Sequence, residues 1–263
     1  NVCVSLACMG EKAEFVTRIP ENEISRCAIA ALDKYKVQTD HIAKGGDRIG
    51  IFYVEKGASQ RPSKVIYDRM NSGVTSCKTE DFDWDAIFKD AGYFHFTGIT
   101  PALGKGVADV CMDACRMAKE RGITISCDLN YRKNLWTTKQ AKETMEKLLA
   151  YVDVLIANEE DAEKVLEISA PDTDVMTGQL NMNGYVYVAK QICEKYRIPT
   201  VAITLRESIS ASDNNWSGLL YTGNNSYFSR KYAVRLVDRV GGGDSFAAGL
   251  IYALGHEFEP QAC

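Results

Sequence analysis

The sequence predicts an α/β fold: a mainly parallel sheet flanked by helices, with a small antiparallel excursion. Three observations carry that expectation. From about residue 90 onward, apolar strand-like runs alternate with amphipathic helical segments, the pattern of βα units. Those runs are almost continuously apolar, as strands covered on both faces are. The chain has 263 residues, 46% hydrophobic and 25% charged, enough for one large core or a core with a small appendage.

Taken in order, Asn1-Val2-Cys3-Val4 opens in a helix closed by Gly10, and without an initiator Met the chain is expected to be preceded by further residues. A second helix follows Pro20 and Asn22, with Ile24, Cys27, Ala28, Ala31, Leu32 and Tyr35 on one packing face. Residues 47–75 depart from the pattern. Arg48 to Glu55 and Ser63 to Asn71 read as short strands joined by a turn, Gly57 to Pro62, with no helix between them. This divides the chain into a core (1–46 and 76–263) and an excursion that is either a decorative hairpin or a lid. Strands are expected at Tyr93 to Thr97, Ile123 to Asp128, Val152 to Ala157 and Thr200 to Leu205, each followed by a turn. Thr137 and Gln140 have capping-box spacing before a helix through Ala141 to Tyr151, and Tyr185, Val188, Ala189, Ile192, Cys193 and Tyr196 share another helical face.

Composition narrows the partners. A net charge of −4 with scattered Lys and Arg argues against nucleic acid. No apolar run reaches the ~18 residues of a membrane span, and no signal sequence opens the chain. Nine cysteines without a CxxC pair read as reduced, mostly core thiols, which together with the missing signal points to the cytoplasm.

Ligands of open parallel sheets gather beyond the carboxyl ends of the strands. Four polar turns there are expected to share one crevice: Thr97-Gly98-Ile99, Asp128-Leu129-Asn130-Tyr131-Arg132, Asn158-Glu159-Glu160-Asp161 and Thr204-Leu205-Arg206-Glu207-Ser208. The sharpest motif is Gly241-Gly242-Gly243-Asp244-Ser245-Phe246-Ala247-Ala248-Gly249-Leu250. Successive glycines let backbone N–H groups converge, and the following helix adds its positive end, giving an anion hole of phosphate size. Asp244 at its edge could accept a hydroxyl proton; the plainer reading is a flexible turn with Asp244 as N-cap.

The string Asp238 to Phe246, with Asp128 to Arg132 and Asn158 to Ala162 in order before it, resembles the ribokinase-like (PfkB) carbohydrate kinases. Gly45 to Arg69, Asp128 to Trp136 and Thr204 to Trp216 look most like a branch acting on a 2-keto-3-deoxy sugar acid. The resemblance implies MgATP-dependent phosphorylation of a terminal hydroxyl, with ATP and Mg2+ as cofactors. Asp244 matches the general base, and Gly241, Gly242 and Gly243 match the anion hole. Arg132 matches a residue beside substrate and phosphate, against the alternative of a surface ion pair. Tyr53, Tyr67, Arg69 and Ile99 would hold the sugar acid, the first three from a lid. Alternation would put Tyr67 and Arg69 on one strand face. Asn130, Asn158, Thr204, Arg206, Glu207 and Ser208 would line the nucleotide. Asp161, in place of the family's Glu, would organise the metal through water, and Arg239 replaces a Thr near a cation site. No Walker A string is present.

The resemblance also implies an oligomer assembled through the lid, and family segments missing at both ends, so that this length alone would turn over little. Competing readings are a fructose or 5-dehydro-2-deoxygluconate kinase, a nicotinamide dehydrogenase, and a non-catalytic sugar or nucleotide sensor. The dehydrogenase reading suffers because its glycine fingerprint belongs after the first strand.

Overall fold

Four apolar strands joined by amphipathic helices can bury both faces only by lying side by side in parallel, and they do. The computed structural model describes residues 1–57, 61–170, 182–238 and 240–263, without the Glu159 side chain. β5 (Tyr93–Thr97), β6 (Thr124–Asp128), β7 (Val154–Ala157) and β8 (Thr200–Ser208) pair in parallel in that order. Before them come α1 (Val2–Cys8), β1 (Arg18–Ile19), α2 (Glu23–Asp33), β2 (Ala43–Lys44), β3 (Ile51–Glu55), β4 (Lys64–Asp68) and the short α3 (Trp84–Ile87). Between and after them lie α4 (Lys105–Glu120), α5 (Thr138–Leu149), α6 (Glu159–Leu166), α7 (Met182–Tyr196), β9 (Asp213–Thr222), β10 (Asn225–Phe228), β11 (Tyr232–Arg235) and α8 (Gly242–Gly255).

The sheet is mixed rather than mainly parallel. β9 runs antiparallel to β8 along its whole length, and β10 and β11 pair antiparallel to β9. β8 therefore does not end in a turn at Thr204; it continues as strand to Ser208 and reverses over residues 209–212. Gly223-Asn224, both at positive φ, form the two-residue turn that carries β9 into β10.

Strand alternation divides the core into two layers. Ile125, Cys127, Leu155, Val201, Ile203 and Leu219 face α4 to α7. Val154, Ile156, Ala202 and Leu220 face α8, which presents Ala247 and Leu250 and lies close because Gly218 leaves room: a Cβ there would sit 2.9 Å from Phe246. Each fully buried aliphatic side chain contributes roughly 1.5–3 kcal/mol of hydrophobic stabilisation. α1 packs against α8 on this second face through Val2.

The expected helix starts hold. Asn22 caps α2 through Ser25, and Thr137 and Gln140 form the capping box of α5. Burial on α2 differs from expectation. Ala28, Ile29 and Leu32 face inward along a cavity, whereas Ile24, Cys27, Ala31 and Tyr35 are exposed. Those inward residues line the cavity together with β1 and the base of the β3–β4 hairpin rather than packing on the main sheet. All nine cysteines are unpaired, but only Cys77, Cys111, Cys115 and Cys127 are buried, and Cys8 and Cys27 are exposed. β3 and β4 form a separate antiparallel hairpin whose ten residues are all exposed.

Candidate active site

The site is assembled on the α8 face of the sheet, at the carboxyl ends of β5 to β8. Gly241 stands at φ +87°, where a side chain would strain the backbone. No side chain caps α8. The N–H groups of Gly242, Gly243 and Asp244 therefore lie at the positive end of the helix without intrahelical partners. A Cβ on Gly242 would lie 3.5 Å from the Trp216 ring, so the indole of β9 props the run from below. Gly243 has an ordinary φ, and a Cβ there would meet nothing within 4 Å. Neither backbone nor packing demands glycine at 243; close approach of a ligand would.

Asp244, in the first turn, receives a 2.7 Å hydrogen bond on Oδ2 from Asn1 Nδ2. It also lies in the field of Asp128 and His95. Burial, then Asp161 and Asp244, push Asp128 up to about 7, against the opposing pull of Arg132 and a backbone N–H at Asn130. His95, on the α8 face of β5, sets Nδ1 2.7 Å from Ser126 Oγ, and burial lowers it to about 4 despite Asp244.

The loop after β6 is tied down from two sides. Gly98 allows its own loop to touch it: a Cβ at 98 would fall 2.2 Å from the Leu129 carbonyl oxygen. Asn130, at φ +41°, donates from Nδ2 to Thr97 Oγ1 at 3.2 Å. Asp161 Oδ1 accepts the Tyr131 N–H at 2.9 Å, and its Oδ2 accepts the Asn158 N–H at 3.4 Å within the capping box of α6. Burial pushes Asp161 up to about 6. Both oxygens of Asp161, the residue expected to organise the metal through water, are thus turned onto backbone amides. Among the described residues, no group of three His, Cys, Asp or Glu side chains could hold a metal ion.

Arg132 extends from that loop, exposed, its Nη1 3.1 Å from the Tyr131 carbonyl oxygen. Across from it, Arg69 lies over the Tyr67 ring at 4.2 Å, the shared face that alternation predicts. Burial lowers the Arg69 pKa, as does the positive charge of Arg132, so the two guanidiniums lie within each other's field. Tyr67 and Arg69 also border an apolar cavity of about 380 Å³ between the hairpin, β1 and α2. Tyr53 is not with them. It pairs with Ile66, and Tyr67 pairs with Phe52, so the two tyrosines occupy opposite faces of the hairpin.

Alternation also splits the expected nucleotide residues. Thr204, Arg206 and Ser208 share the α8 face with Ala202, whereas Glu207 faces away, paired with Lys231 at 2.5 Å and with Asn215 at 3.0 Å. Ile99 is half-buried in the loop after β5, its N–H 3.5 Å from Thr97 Oγ1. Arg239 lies outside the described residues. Asn1 and His95 escaped the sequence reading. The available signals were a capping-type residue at the head of α1 and a polar residue inside an apolar strand.

Backbone amides that can hold phosphate, beside a carboxylate that can take a hydroxyl proton, are the parts a small-molecule kinase requires. The chain belongs to the pfkB family of carbohydrate kinases, whose family model matches residues 1–263, and it is an enzyme that phosphorylates a sugar. Its fold is ribokinase-like. Among solved structures it is similar to 2-dehydro-3-deoxygluconokinase from Thermotoga maritima, at 50% identity and a TM-score of 0.95, covering 99% of this chain and 78% of that one. It is 30% identical over 254 residues to 2-dehydro-3-deoxygalactonokinase of Haloferax volcanii, covering 97% of this chain and 73% of the relative. It is 26% identical to 2-dehydro-3-deoxygluconokinase of Bacillus subtilis, covering 95% and 71%. No helix among the described residues is long and apolar enough to cross a membrane.

Proposed function

We propose that the protein phosphorylates the terminal hydroxyl of 2-keto-3-deoxygluconate at the expense of MgATP, giving the 6-phosphate. The observation that carries this reading is the placement of Asp244 beside an uncapped glycine-run helix, with Arg69 and Arg132 mutually in range. Two guanidiniums facing one space repel each other until an anion lies between them, which favours a sugar acid over a neutral sugar. The names of the Thermotoga and Bacillus relatives point the same way.

In this reading Asp244 accepts the proton of the sugar hydroxyl, and the amides of Gly241 to Asp244 hold phosphoryl oxygens at the head of α8. Arg132 orients both the carboxylate and the phosphoryl group, and the β3–β4 hairpin closes as a lid with Tyr67 and Arg69 over the substrate. Asn130, Asn158 and the α8-facing side chains of β8 flank the nucleotide. MgATP supplies the transferred group and its charge compensation; an ion carried mainly by phosphate oxygens suits a site without a protein metal cage. Nine unpaired cysteines fit a reducing compartment such as the cytoplasm. The lid, apolar on both faces, is also where copies of the chain would associate, read as a light-scattering mass above 29.1 kDa.

The test is ADP release with MgATP and 2-keto-3-deoxygluconate, its galactonate epimer, 5-dehydro-2-deoxygluconate or fructose, for the wild type and Asp244→Asn. Rapid turnover of the first substrate alone, falling about a hundred- to ten-thousand-fold in the variant, is expected. Preference for another sugar moves the substrate assignment. Undiminished turnover in the variant overturns Asp244 as the base.

A further inference from the structure

A lid places its binding groups only as accurately as its feet are held. The chain enters the β3–β4 hairpin through Gly45-Gly46 and leaves it through Gly73, and there the two segments cross in contact. A Cβ on Gly46, which stands at φ +84°, would fall 2.5 Å from the Gly73 Cα. One on Gly73 would fall 2.7 Å from the Gly45 carbonyl oxygen and 2.8 Å from that of Arg18. On the hairpin side of this crossing, Arg48 clasps the returning strand. Its Nη1 donates to Asp68 Oδ1 at 2.6 Å and to the Met70 carbonyl at 3.2 Å, and its Nη2 to the Asp68 carbonyl at 3.0 Å. The Arg48 carbonyl in turn accepts the Gly73 N–H at 2.9 Å, so the base of the hairpin is one unit.

On the core side a second arginine, Arg18 of β1, holds the same crossing. Its Nη1 donates to Ser76 Oγ at 2.7 Å, to the Ser76 carbonyl at 3.2 Å and to the Gly73 carbonyl at 3.4 Å. Its Nε lies 3.3 Å from Asp81 Oδ2, an ion pair out of line for a hydrogen bond. Gly45 leaves room for the guanidinium, since a Cβ there would lie 2.2 Å from Nη2. The foot so held runs directly into Arg69, whose carbonyl accepts Ser72 Oγ at 2.8 Å in a closed turn.

We infer that Arg18 is a positioning residue for the sugar acid. Arg132 comes from the β6 loop of the core and Arg69 from the hairpin, so the angle at this foot decides whether their guanidiniums converge on one carboxylate. By bracing Gly73 and Ser76 against β1, Arg18 sets that angle while its own guanidinium is occupied. The inference rests on the reading of Arg69 as a ligand of the sugar carboxylate.

The test is a double-mutant cycle in the full kinase, with ADP release measured at varied sugar acid and at varied ATP. Arg18→Met and Ser76→Ala are each made in the wild type and in Arg69→Ala. In the wild type, Arg18→Met is expected to lower kcat/KM for 2-keto-3-deoxygluconate about 10- to 100-fold and leave the KM for ATP within about 2-fold. Ser76→Ala, which removes only the shortest bond, should lose about 5-fold in the same quantity, the order of one hydrogen bond. In the Arg69→Ala background neither change should matter by more than about 2-fold, because the group that Arg18 positions is gone. Equal losses in both backgrounds, or a KM for ATP that rises in step, would overturn the inference and make Arg18 a general support of the fold. Wild-type kinetics in both variants would overturn it as well. Should Arg18→Met fail to fold, the Ser76→Ala cycle decides by itself. If Arg69→Ala leaves the sugar-acid kinetics unchanged, the carboxylate reading beneath the inference falls instead, so the two failures are distinguishable.

Discussion

Around the glycine run each element leans on a neighbour, whereas the β3–β4 hairpin leans on almost nothing. α8 is pressed to the sheet by Ala247 and Leu250, propped at its head by Trp216 and crossed by α1, and the β6 loop is pinned by Gly98, Asn130 and Asp161. The hairpin has exposed residues along both strands, with Phe52, Tyr53 and Ile66 half or more open to solvent. A surface that must hold phosphate against thermal motion gains from such preorganisation. One that must admit a sugar and then cover it gains from few contacts of its own. The floor is specified by the chain itself. In the proposed reading, the hairpin takes its meaning from what it closes upon.

Removing the charge from the cover is expected to have the larger effect, and on one substrate alone. Arg69→Ala should lower kcat/KM for the sugar acid about 100-fold, through the lost carboxylate contact, and leave the KM for ATP within about 2-fold. Steady-state kinetics with each substrate varied in turn would show it. An equal rise in both KM values would mean that floor and cover act as one unit, and the contrast between them would fail.

The floor is probed at Gly243, where open space and ordinary φ give the fold no need of glycine. Gly243→Ala should melt at the same temperature or slightly higher, since alanine favours helix by roughly 0.5–1 kcal/mol. It should nonetheless raise the KM for ATP about 10-fold by placing a methyl group where phosphate approaches. A higher melting temperature with unchanged ATP kinetics would show that the cradle is not used.

Legibility in the sequence follows the same division. The parallel half was readable because βα alternation is a local pattern, and Asp244 because the glycine run concentrates its chemistry in consecutive residues. The antiparallel half was not: Thr204 to Ser208 read as a turn because its polar residues look like loop, yet pairing with β9 makes it strand, and only then does alternation send Glu207 to the face away from α8. The face that Tyr53 occupies was hidden for a related reason. Within one strand, face follows from counting, but across a hairpin it depends on register, and the register sets Tyr53 opposite Ile66 rather than beside Tyr67. Asn1 and Asp244 are 243 positions apart, and no local pattern could have joined them.

The smallest expected effect concerns the rigidity of the floor itself. Asp128 is pushed up to about 7 and Asp161 to about 6, burial being the first cause of both. A carboxyl raised in the fold binds its proton more tightly than in the unfolded chain. Its contribution is therefore fully present at low pH and is lost as pH rises from the ordinary carboxylate range through the folded value. His95, lowered to about 4, has the opposite sign, its contribution rising between about 4 and 6.5. Asp128→Asn keeps the neutral shape at every pH. Its advantage over the wild type should be near zero only below about pH 3.5 and should grow by roughly 2 to 3 kcal/mol between about pH 5 and about pH 8, read from denaturant melts at those two values. An advantage that does not change with pH would mean that Asp128 is held ionised in the fold, its charge matched by Arg132. The floor would then be braced by that ion pair, and the Arg132 side chain would be less free to meet an incoming anion than its exposure suggests.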